Sequence, residues 1–259
     1  MKLVIQIIIF ILITGIALCG YFFIRSFIVA HEEVVIFSDL QRTYTNKTEA
    51  SVNELSDFID ESITRGLPQI EIDFDALMLI NPDTVGWISI PDTVISYPVV
   101  QTSDNLKYLD TSFDGNRSSA GTPFVNSNND MQILDRNTVI YGHNMGSGRT
   151  DMFSSLLIYK DYEYYIANKL IWFDTIYLQY GWWEIFAVIH IDIHNHDFQS
   201  QQLIFHNDEY MEWIDQAMIL SMYDSDIIIL PNSNILTLST CDRSIYGRNG
   251  RLLILAVHI

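Results

Sequence analysis

The chain has 259 residues, with 32 Asp plus Glu against 14 Lys plus Arg and a formal net charge of -18. A surface so acidic repels phosphate and has no basic footprint to release counterions, so nucleic acid is excluded as a partner. With 49% apolar and 13% aromatic residues the chain can bury a full core, and two cysteines without CxxC or Cys/His ligand spacing give neither a disulfide scaffold nor a structural zinc site.

From Leu3 to Ile24 no residue is charged, and Gln6 and Thr14 are the polar interruptions. As a helix this run of about 22 residues spans roughly 33 Å, enough to cross a bilayer once. A cleaved signal peptide fits less well, because the stretch is long, lacks an Ala-x-Ala site and continues past Cys19 into Tyr21, Phe22 and Phe23. Residues 1–26 therefore read as a transmembrane signal anchor, with membrane lipid as its partner. Lys2 on one side and Arg25, Glu32 and Glu33 on the other lean toward a cytoplasmic N-terminus and an extracytoplasmic bulk.

Residues 27–80 read as a helical N-terminal segment. Ser51 and Glu54 make a capping box, followed by Val52, Leu55, Ile59 and Ile63 at helical spacing. A second short helix follows Asp73 and stops at Asn81-Pro82. From Gly86 onward the period changes to strands. Trp87–Ile90, Val94–Gln101, Thr122–Val125, Thr138–Tyr141, Leu170–Tyr180, Trp182–His194, Ile227–Leu230, Ile235–Thr240 and Leu252–His258 are short β-branched or aromatic runs bounded by turn residues. Eight or nine strands without regular βα alternation predict a mostly β fold, a largely antiparallel barrel or sandwich over residues 81–259. One helix interrupts them, capped by Asn207 or Asp208 and carrying Met211, Ile214, Met218 and Met222 on one face.

The chemistry concentrates near the C-terminus. Cys241 ends a strand, and Arg251 opens the next after a polar loop, so a thiol and a guanidinium can meet across a hairpin-like connection. An unperturbed thiol is only about 3% thiolate at pH 7, and an acidic domain lowers that further, so a local cation is required. Strand alternation turns Asp242 to the opposite face. His143, in Tyr-Gly-His-Asn-Met-Gly after an apolar strand, supplies an imidazole for proton transfer, although a loop histidine by itself is more often merely solvated. His190, Asp192, His194 and His196 alternate with Ile189, Ile191 and Ile193; the simpler reading is a half-exposed strand, the other a metal site.

Thr-Leu-Ser-Thr-Cys ending at Cys241, Arg251 ten positions on, and Tyr-Gly-His-Asn-Met around His143 resemble a sortase, in detail class B. Asn81-Pro-Asp-Thr-Val-Gly-Trp-Ile, Ile95-Ser-Tyr-Pro-Val-Val and Asp104-Asn-Leu-Lys-Tyr-Leu are similar to the class B approach to the barrel, so the resemblance covers roughly residues 70–259. It implies a closed eight-stranded β-barrel with N-terminal helices and a helix between the sixth and seventh strands. It further implies a cysteine transpeptidase on the outer face of a Gram-positive cell membrane, needing no cofactor. By resemblance Cys241 attacks a threonine carbonyl in the sorting signal of a secreted protein, and a cell-wall precursor or peptidoglycan amine resolves the thioacyl enzyme. His143 would act as acid and then base, Arg251 would hold substrate or oxyanion, and Ser239 and Thr240 would line the substrate groove. Asn126 departs from an aspartate common in class B, and Arg243 and Arg248 compete with Arg251; the latter is preferred for its offset and its strand. Two alternatives stay open: another thiol acyltransferase, such as an L,D-transpeptidase, against which Ser-Thr-Cys speaks, and a non-catalytic membrane-tethered barrel that buries Cys241.

Overall fold

Helix α1 runs Lys2–Tyr44 in the computed structural model, which describes residues 2–48, 69–146, 148–177, 181–194, 198–206 and 209–259. The chain divides into two units, Met1–Asp39 and Leu40–Ile259. In the first, Ile11, Phe22 and Phe23 are exposed, and the Thr14 hydroxyl bonds back to the Phe10 and Ile11 carbonyls, which satisfies it inside the helix. Among the described residues no helix is long and apolar enough to cross a membrane.

The second unit corrects the expectation of a helical stretch to residue 80. After α1, strand β1 (Thr45–Thr48) pairs antiparallel with β2 (Gln69–Ile72), Thr45 opposite Ile72. The capping box and the Val52 to Ile63 periodicity lie outside the described residues. Helix α2 (Phe74–Ile80) forms as its sequence predicts. The Asp73 carboxylate accepts the Ala76 N–H at 3.0 Å, Leu77 is buried, and the helix ends at Asn81 before Pro82.

Eight strands then close a barrel: β3 (Thr84–Ser89), β4 (Ser96–Val100), β5 (Phe124–Val125), β6 (Asn137–Tyr141), β7 (Leu170–Thr175), β8 (Trp182–Asp192), β9 (Ile235–Cys241) and β10 (Gly250–His258). Their order around the barrel is β10-β8-β7-β3-β4-β5-β6-β9, and β9 returns to β10. The pairings β4–β5 and β6–β9 are parallel and the others antiparallel, so the barrel is mixed. Closure leaves no edge strand to aggregate.

Strict polar and apolar alternation fails in β8 and β10 because both faces are covered. Helix α4 (Glu209–Leu220), between β8 and β9, lays Tyr210, Trp213, Ile214 and Ala217 against Ile189, Ile191, Leu253 and Leu255. The alternate residues Leu252, Ile254 and Ala256 are buried too. Ile227–Leu230, expected as a strand, is not one. Ile229 is buried while Ile228 is 83% exposed, and β9 already has both of its neighbours, so this apolar run has no partner to pair with. Besides β1 and β2, the elements not anticipated include a 3-10 segment, Phe153–Lys160, and helix α3 (Tyr162–Ala167), capped by Asp161 accepting from the Tyr164 N–H.

Candidate active site

The site begins where the parallel β6–β9 ladder runs out. Tyr141 is the last residue of β6 and pairs with Ser239. Beyond it the Gly142 N–H still donates to the Ser239 carbonyl at 3.2 Å, and the Thr240 hydroxyl donates to the Gly142 carbonyl at 2.7 Å. The next contact is made by a side chain, with Asn144 Nδ2 donating to the Cys241 carbonyl at 2.7 Å. Gly142 is required because a Cβ there would come within 2.5 Å of the Phe153 ring. That packing brings the Phe153 N–H to the His143 carbonyl at 2.9 Å.

His143 Nε2 lies 2.8 Å from the Leu109 carbonyl. A carbonyl only accepts, so Nε2 carries the hydrogen, and in the neutral ring Nδ1 is the free base. Leu109 is delivered by the Asp104–Leu109 segment, whose Asp104 carboxylate accepts the Leu106 and Lys107 N–H groups. Tyr108 is fixed behind it, its hydroxyl donating to Asp83 and accepting from Asn81 Nδ2, both at 2.8 Å.

Cys241 ends β9 directly opposite Arg251 on antiparallel β10. The Arg251 guanidinium donates to the Gly250 carbonyl at 2.9 Å and the Arg248 carbonyl at 3.2 Å, which fixes its stem against the turn. The rivals Arg243 and Arg248 have exposed side chains and stay out of the cleft described below. Asp242 turns away from the thiol, as alternation predicts. It is buried and receives the Lys160 ammonium at 2.7 Å and the Ser244 N–H at 3.0 Å, with His190 Nε2 3.6 Å away. Burial alone would raise its pKa, yet the Lys160 and Ser244 bonds outweigh burial and hold the carboxyl below its ordinary value.

His143, Ser239, Thr240, Cys241 and Arg251 all line one cleft of about 670 Å³, together with Leu109, Phe124, Tyr141 and Phe198. All five residues expected at the site are thus brought to one cavity, although the Thr240 hydroxyl is spent on the loop of His143. Asn126 is buried and donates to the Tyr141 hydroxyl at 2.9 Å, a bond that an ionised aspartate could not give. Burial raises the Tyr141 pKa, against which the Asn126 bond and the Arg251 charge pull.

Sequence reasoning missed the far wall. Residues 198–201 line the cleft and hang from two buried side chains. Asn137 donates to the Ser200 and Gln202 carbonyls at 3.2 and 3.0 Å, and Trp213 Nε1 to the Gln199 carbonyl at 3.0 Å. Trp213 also stacks on Phe198, centroids 5.3 Å apart. The helical period pointed to Met211, Ile214, Met218 and Met222, whereas the buried face is Tyr210, Trp213, Ile214 and Ala217, with Met211 and Met218 at its margin and Met222 exposed beyond the helix end; neither Trp213 nor a lone Asn at the start of a strand was flagged. Of the alternating polar residues, His190 meets Asp242, while Asp192, whose carboxylate accepts the His194 N–H at 2.8 Å, and His194 line the cleft. His196 lies outside the described residues, among which no group of three or more His, Cys, Asp or Glu could hold a metal ion.

No protein-family profile matches the chain. Sortase B of Listeria monocytogenes is 32% identical over 196 residues, 75% of this chain and 77% of that protein. Sortase B of Staphylococcus aureus is 26% identical over 257 residues, 99% of this chain and 97% of that protein. Among solved structures, Bacillus anthracis sortase B in complex with AAEK1 superposes with a TM-score of 0.70 at 28% identity, covering 90% of this chain and 99% of that one. The Staphylococcus aureus sortase B–substrate complex gives 0.65 at 30% identity over 72% of this chain and 84% of that one. A cleft carrying Cys, His and Arg on a closed eight-stranded barrel, with this identity over three quarters of the chain, identifies a member of the sortase B family, a cysteine transpeptidase that anchors surface proteins to the cell wall.

Proposed function

We propose that Cys241 is the nucleophile, His143 the acid and base, and Arg251 the oxyanion-stabilising cation of a transpeptidation that cuts a C-terminal sorting signal after threonine. The Cys241 thiolate bonds to the threonine carbonyl carbon, Arg251 stabilises the negative oxygen, and the C–N bond breaks as protonated His143 gives its proton to the leaving amine. A cell-wall amine then attacks the thioester while neutral His143 takes its proton, and the sulfur leaves as thiolate. Ser239 and Thr240 form the groove floor beside the acyl group.

Residues 1–26 hold the enzyme in the cell membrane as a single-pass anchor, the catalytic domain outside. The uncharged run Leu3–Ile24 supports this reading, as does the exported substrate class.

The observation that carries the mechanism is the direct pairing of Cys241 with Arg251 on the wall of the cleft that His143 also lines. The test is incubation of the full chain in detergent micelles with a library of threonine-containing sorting-signal peptides. An acyl adduct on Cys241 by mass spectrometry, with no cleavage by Cys241→Ala, is expected; equal cleavage by both proteins overturns the mechanism.

A further inference from the structure

We infer that Asn144 is a positioning residue that sets the His143 loop against the nucleophile, an inference that rests on the roles just proposed for His143 and Cys241. In a parallel ladder, every second N–H of one strand donates to every second carbonyl of its neighbour. Gly142 N–H to Ser239 carbonyl is one such rung, and the next would be Asn144 N–H to Cys241 carbonyl. The chain has by then left the strand, and the Asn144 side-chain amide supplies that rung instead, at 2.7 Å.

The orientation of this amide is fixed at both ends. Its Oδ1 accepts the Gly146 N–H at 2.9 Å, a group that only donates, and its Nδ2 meets a carbonyl, a group that only accepts. Asn144 also bridges Met152, and the His143 carbonyl accepts from Phe153. The residue bearing the imidazole is thereby tied to the residue bearing the thiol through one side chain. Removing that tie frees the loop by the sub-ångström to ångström displacements to which proton transfer and attack are sensitive.

The test needs no knowledge of the peptide recognised. The rate at which iodoacetamide alkylates Cys241 is measured against pH for the full chain in detergent micelles, with His143→Ala as reference and thermal melting as the fold check. Asn144→Ala is expected to melt near wild type and to move the alkylation profile toward that of His143→Ala, with a change of roughly threefold or more in rate at pH 7. Asn144→Asp, isosteric but placing a carboxylate oxygen against the Cys241 carbonyl, is expected to do the same. A wild-type profile in both Asn144 variants, with His143→Ala altered, overturns the positioning role and leaves the proposed mechanism standing. An unaltered profile in His143→Ala breaks the coupling of imidazole to thiol that the inference requires and overturns it, while the acid and base roles of His143 stand or fall by peptide cleavage. Failure of both Asn144 variants to fold makes the residue merely structural and also overturns the inference.

Discussion

Cys241 and Arg251 face each other across the last antiparallel pair of the barrel, and the guanidinium stem is tied to the carbonyls of Gly250 and Arg248. A cation so preorganised is worth most where charge develops in a site shielded from water. Arg251→Lys, which loses the planar fork, is expected to lower kcat roughly 100-fold with the melting temperature kept. Arg243→Ala and Arg248→Ala, exposed and outside the cleft, are expected to stay within about threefold of wild type. Steady-state kinetics on the four proteins checks this, and an equal loss in Arg248→Ala would reassign the cation.

Asp242 gives a pH dependence of stability. Its carboxyl sits below its ordinary value in the fold, so the stabilisation is fully present above the unfolded value, about 3.9, and disappears as pH falls through the folded value. Losing the charged hydrogen bond from Lys160 costs roughly 1.5–3 kcal/mol. The difference in urea midpoint between wild type and Asp242→Asn is therefore expected to be flat from pH 8 to about 5 and to shrink below about 4. A difference that holds unchanged to pH 3 would count against the ion pair.

The barrel and the site were legible for different reasons. Short β-branched runs between turn residues gave the strands, because closure forces most of them to be apolar. Cys241, His143 and Arg251 were brought forward by the resemblance of their motifs to a sortase, since a loop histidine by itself is more often merely solvated and no local pattern ties it to a distant thiol. Ile227–Leu230 misled because hydrophobicity alone cannot tell a strand from a run that covers one neighbour and meets no ladder. Thr45–Thr48 and Gln69–Ile72 were invisible as a pair, since Thr-Asn-Lys-Thr has no apolar residue, the alternation of Gln-Ile-Glu-Ile lasts only one short run, and their pairing spans a long separation. Asn137 and Asn144 act through hydrogen bonds to distant carbonyls, which no local pattern encodes.

Gly250 joins the turn that follows Cys241 to the strand that carries Arg251. A Cβ there would lie 1.9 Å from the Asp242 carbonyl oxygen, a backbone atom that no rotamer change can move. The Asp242 N–H to Gly250 carbonyl bond at 3.1 Å must then stretch, and Arg251 moves with it. Gly250→Ala is expected to lose roughly 2–4 kcal/mol by thermal or urea unfolding and to lower kcat as well. Gly247→Ala, with open space but a φ of +58, is expected to cost only about 1–2 kcal/mol.

Residues 198–201, held by Asn137 and Trp213 on the cleft, allow binding to be perturbed apart from Cys241 and His143. Trp213→Phe keeps a ring to stack on Phe198 but loses the bond to the Gln199 carbonyl, a net cost of about 1 kcal/mol. It loosens residues 198–201 without touching Cys241 or His143, so KM is expected to rise severalfold at nearly constant kcat. Asn137→Leu goes further, removing both bonds to that segment and leaving the buried Thr237 hydroxyl without the acceptor it meets at 2.7 Å. A loss of roughly 2–4 kcal/mol in stability with the same rise in KM is expected. If kcat falls in Trp213→Phe while KM stays put, residues 198–201 act on the chemical step rather than on substrate binding, and the expectation fails.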